Sequence, residues 1–140
     1  MQGPMQASIN ATVGIVGAAV TYMFGGWSEL VNVFLLLIAL DYVTGVAASI
    51  KSGEGLCSTK GFWGIWKKGL MLIIVTVGHR FDLLLGTDLF KVGFMYFYIS
   101  NELLSITENC GKLGFPLPGR LRKLIQVLRE KGIEKEEDPK

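Results

Sequence analysis

Leu30–Ile50, LVNVFLLLIALDYVTGVAASI, is the longest apolar stretch of the chain, and its reading decides the fold. About 20 residues at ~1.5 Å each make a helix ~30 Å long, the thickness of a bilayer's hydrocarbon core. Asp41 stands in the middle of this run. A carboxylate there costs ~3 kcal/mol against lipid, so it must face other protein or serve water, protons or ions. The plainer alternative is the core helix of a soluble protein with Asp41 paired inside.

Composition favours the membrane. Half of the 140 residues are hydrophobic, only 19% are charged, and the mean hydropathy is +0.42. A soluble domain carries charge on about a quarter of its residues. No charged side chain occurs before Glu29. The 18 glycines concentrate in and between the apolar runs, which suits close helix contacts and turns. The net charge of +2 is too small and too mixed to suggest nucleic acid.

Three further apolar segments accompany the first: residues 7–24, 69–86 and 89–106. The expected fold is therefore an all-α membrane protein, a small helical bundle of four transmembrane helices over 7–24, 30–50, 69–86 and 89–106. Three spans are the alternative, with the short first or the polar third segment lying at the surface. Segment 7–24 lacks a basic leader and a small-residue cleavage site, so it reads as a retained helix.

Charge arbitrates orientation. The 51–68 connection holds Lys51, Lys60, Lys67 and Lys68 against Glu54, and the stretch from Lys112 to Arg129 is basic throughout. Basic connections prefer the cytoplasmic side. Four spans place both termini there. Trp63, Trp66, Lys67 and Lys68 are expected to anchor that interface, with Trp27 anchoring the opposite one. A loop packed on its own bundle would use the same residues.

Beyond the bundle, residues 107–131 form a cytoplasmic basic amphipathic segment. Leu117, Leu121, Leu124 and Leu128 recur at helical spacing among Arg120, Arg122, Lys123 and Arg129. This helix could lie on the inner leaflet, pack on the 51–68 connection, or join subunits. Residues 132–140 are nearly all charged and expected to be disordered.

Polar groups recur inside the spans. Asp41, Thr44 and Gly45 form one strip. Tyr98, Asn101, Glu102 and Ser105 form another, continued by Asn109, and His79 and Arg80 break the third segment. One reading has them hydrogen-bond across helices, for example Asp41 to Arg80 or Glu102 to Tyr42, and hold one bundle together. The other lines a water-filled opening between many copies. Gly14/Ala18 and Gly17/Thr21 offer small-residue faces for lateral packing. Nothing points to catalysis, a metal or a cofactor. His79 is the sole histidine, and Cys57 and Cys110 are isolated thiols.

Several blocks together resemble the toxin secretion/phage lysis holin family. They are Leu40-Asp41-Tyr42-Val43-Thr44-Gly45, Ser58 to Lys68 (STKGFWGIWKK), Tyr98 to Asn109 (YISNELLSITEN), and Leu113-Gly114-Phe115-Pro116-Leu117-Pro118 before a basic helix. The resemblance covers about Leu36 to Lys131. It implies a non-enzymatic phage holin that oligomerises in the host's inner membrane and forms lesions there. These lesions release or activate a cell-wall-degrading endolysin, a functional partner that need not touch the holin, and so time host lysis. Some family members use two translation starts, which Met1 and Met5 imitate without the usual intervening basic residue. The rival class is a non-enzymatic ion channel, a small transporter, or a holin-like exporter of toxins or other proteins.

Overall fold

Five helices follow from local signals in the chain. The computed structural model describes residues 3–55, 58–115 and 117–137, without the side chains of 128, 129 and 131–137. Met1 and Cys57 lie outside the described residues.

Helix α1 (Pro4–Phe24) begins on a proline, whose missing N–H costs nothing in a first turn. It ends at Gly25, in the left-handed conformation with φ 80°, whose N–H returns to the Thr21 carbonyl. Helix α2 (Glu29–Lys51) is capped by the Ser28 side chain, which accepts from the Val31 N–H. Glu29 in its first turn and Lys51 in its last both complement the helix dipole. Helices α3 (Ser58–Leu85), α4 (Leu89–Lys112) and α5 (Gly119–Glu137) complete the chain.

Two boundaries differ from expectation. The third helix begins at Ser58, well before residue 69. Lysine is a good helix former, so the Lys67–Lys68 pair marks a change of polarity without interrupting the backbone. Helix α5 continues to Glu137, into the stretch expected to be disordered, while residues 138–140 lie outside the described residues.

Helix α4 is the hub and packs on α2, α3 and α5, while α1 leans on α3. The apolar core gathers Val20 and Phe24 of α1, Val31, Phe34 and Leu37 of α2, Val75 of α3, and Met95 and Ile99 of α4. Aromatic edges lock it, with Phe34 lying 6.3 Å from Phe24 and 6.5 Å from Tyr98. This core occupies the end of the bundle that carries the 25–28 and 86–88 turns, hereafter the turn end. At the opposite, loop end the Lys51 ammonium donates to the Leu113 carbonyl and ties α2 to the exit of α4.

The outside of the bundle is as apolar as the inside. Leu36, Leu40, Val43, Ile73, Val77, Tyr96 and Phe97 all face outward. Only 17% of the most apolar window of α2 is buried, the reverse of a soluble core helix. A surface of this kind is covered by lipid or by other chains. Among the described residues α1 and α2 are long and apolar enough to cross a membrane. Helices α3 and α4 have the length but carry more polar residues than that criterion admits.

Candidate functional site

The polar residues of the inner bundle converge on one level. Asp41 stands ten residues before Lys51 at the end of α2, Lys68 ten after Ser58 at the start of α3, and Glu102 ten before Lys112 at the end of α4. Each is thus about 15 Å from the loop end along its helix. The Lys68 ammonium donates to the Asp41 carboxylate at 2.7 Å and to the Glu102 carboxylate at 2.6 Å. The three side chains are 13%, 15% and 7% exposed, so water screens them little.

Asn109 extends the network two turns further along the same face of α4. Its amide donates to the second Asp41 oxygen at 3.1 Å and to the Thr44 hydroxyl at 3.1 Å. Thr44 turns its own proton back to the Leu40 carbonyl at 2.8 Å. A Cβ on Gly45 would stand 3.5 Å from the Asn109 amide nitrogen, an ordinary contact, so the approach does not depend on glycine. The Asp41–Thr44–Gly45 strip is therefore the α2 half of a contact with α4.

Beside the cluster lies a cleft of about 230 Å³ whose walls include Tyr42, Ser49, Lys60, Ser105, Gly61 and Gly64. The two glycines put bare backbone on the α3 wall, and space for water remains next to Asp41, Lys68 and Asn109.

A second polar group closes the turn end. The Asp82 carboxylate, 1% exposed, accepts from the Phe90 and Lys91 N–H groups at 3.0 and 2.8 Å and from the Thr87 hydroxyl at 2.8 Å. It thereby caps the orphan donors that open α4. Arg80 donates to the Tyr22 carbonyl at 2.6 Å and lies over the Tyr22 ring at 3.5 Å. Lys91 donates to the Phe24 carbonyl at 3.2 Å. Both cations thus sit at the C-terminus of α1, where the helix dipole favours positive charge. His79 is buried against Gly25, close enough that a Cβ on Gly25 would meet its ring at 2.7 Å.

The expected residues therefore divide. Asp41, Thr44, Gly45, Glu102 and Ser105 gather at the cluster or its cleft, while His79 and Arg80 belong to the turn end. Tyr98 packs on Phe34, and Asn101 is half-buried. Asp41 pairs with Lys68 and not with Arg80, and Glu102 pairs with Lys68 and not with Tyr42. Trp27, Trp63, Trp66 and Lys67 are exposed. Lys68 faces the opposite way. Gly61, Gly64 and Lys68, at spacings of three and four, mark the inward face of α3, and this signal identifies Lys68 as the partner Asp41 requires.

Among the described residues no group of three or more His, Cys, Asp or Glu gathers to hold a metal. Fold and site define a small helical bundle with an apolar exterior and an internal ion cluster. The chain belongs to the bacteriophage holin family, which matches residues 18–130. Family members are non-enzymatic pore formers, and the chain is no enzyme. It is 45% identical over 122 residues to an uncharacterised 14.9 kDa protein from the nagH 3' region of Clostridium perfringens, covering 84% of this chain and 92% of that one. An uncharacterised protein of Listeria monocytogenes is 42% identical over 86% of each chain. A probable holin of Bacillus phage phi105 is 31% identical over 83% of this chain and 85% of its own. No solved structure matches.

Proposed function

We propose that copies of this chain assemble in the bacterial inner membrane into lesions that let an endolysin reach the cell wall, causing timed host lysis. Family membership supplies the class, and the Asp41–Lys68–Glu102 cluster supplies the device. In the single bundle that cluster ties α2, α3 and α4 together and hides three charges. A surrounding of lipid keeps them hidden, because each exposed charge would cost several kcal/mol. When many copies pack laterally, the same polar faces gain an alternative, which is to turn toward shared water. The cluster then sets the threshold between the closed bundle and the open assembly.

In this reading all of α1 to α4 cross the membrane and both termini are cytoplasmic. Helices α3 and α4 cross because their charges are paired inward or placed at the ends. The partners are other copies of the chain, the bilayer, and an endolysin that need not touch the chain.

Inducible expression of Asp41→Asn and Glu102→Gln at equal membrane levels tests the device. A shifted onset of lysis in either variant is expected. Unchanged timing in both removes the cluster from the mechanism. A chain that leaks only small ions would instead be a channel or transporter.

A further inference from the structure

Helix α5 is not needed to close the bundle. It touches α4 chiefly through Ile125, 6% exposed, and leaves Leu121, Leu124 and Val127 in the open at 42%, 58% and 44%. On a helical projection Leu124 and Val127 share a side with Arg120 and Lys123, while Gln126 points nearly opposite. No acidic residue occurs in α5 before Glu130. The helix therefore presents apolar side chains bordered by cations. It does so six residues beyond the end of α4.

We propose that this face of α5 is a docking surface for anionic lipid headgroups, seating Leu121, Leu124 and Val127 at the acyl boundary with Arg120 and Lys123 among the phosphates. Charge decides the occupant. A second copy of α5 in parallel register would bring the same cations face to face, whereas an anionic leaflet neutralises them and accepts the leucines. Packing on the 51–68 connection would likewise set α5 against Lys51, Lys60 and Lys67. The surface rests on the membrane location of the bundle and is independent of lesion formation.

Each cation near an anionic leaflet contributes about 1 kcal/mol, so removing two lowers the ratio of seated to free α5 by about thirtyfold. The test uses the full chain, with Cys57 and Cys110 replaced by serine, reconstituted in vesicles of phosphatidylglycerol and phosphatidylcholine. A fluorophore is placed on Leu124→Cys or on Gln126→Cys, and quenching by bromine-labelled acyl chains is read. Quenching at position 124 and little at position 126 is expected. It should fall with R120Q/K123Q, with pure phosphatidylcholine and with molar salt, which shortens the Debye length to about 3 Å. Arg120→Lys with Lys123→Arg should restore it. Equal quenching at both positions, or quenching indifferent to charge, would overturn the proposal. So would disulfide linkage between copies at position 124 without quenching.

Discussion

At Lys68 one positive charge serves two negative ones, and the consequence of removing it is asymmetric. Lys68→Met leaves Asp41 and Glu102 side by side without their shared cation, so the bundle should lose about 3–5 kcal/mol. Glu102→Gln keeps a neutral Lys68–Asp41 pair and should cost only about 1–2 kcal/mol, the loss of one charge-assisted bond. Denaturant titration of the purified chain in mild detergent, followed by helical circular dichroism, measures both. Equal losses would mean that Lys68 does not bridge the two carboxylates. Asp41 announces by its depth that it needs a partner, but not which partner. Arg80 and Lys68 are both cations of the next helix, and only the register of α3 against α2 chooses between them. Gly61 and Gly64 share the Lys68 face of α3 and line the cleft beside the cluster, with nothing packed against them.

At the level of elements, Asp82 shows how a charge inside an apolar segment can be structural. It caps α4 from the last turns of α3, so Asp82→Ala takes the acceptor from two part-buried N–H groups and a hydroxyl. The expected cost is about 2–3 kcal/mol, visible in the same unfolding titration. Glycines separate into two kinds. A Cβ on Gly78 would press on Phe94 at 2.7 Å, so Gly78→Ala should loosen the α3–α4 contact by about 1–3 kcal/mol. Gly14 and Gly17 meet nothing within 4 Å. Gly14→Leu and Gly17→Leu should therefore leave unfolding of the single bundle within about 0.5 kcal/mol while reducing chemically cross-linked oligomers. Undiminished cross-linking in both would show that copies do not associate through α1. Helices α1 and α2 were legible because one apolar run equals one helix. The start of α3 was not, because hydropathy reports where lipid-compatible residues begin, whereas the helix begins where backbone hydrogen bonding does, at Ser58.

For the whole molecule, an apolar exterior around a charged interior reverses the arrangement of a soluble protein. The small core at the turn end and the ion cluster toward the loop end hold a bundle that has few buried apolar side chains of its own. Helix α1 touches the rest mainly through Val20 and Phe24, and the remainder of its length is free to meet another copy. On the proposed function, these features would join the single bundle to an assembly of many. The most direct measurement is passage of a folded, enzyme-sized reporter across the inner membrane of cells expressing this chain alone. Abrupt passage after a delay, at a time shifted by Asp41→Asn, is predicted. Flux confined to small ions, with the reporter fully retained, would contradict lesion formation.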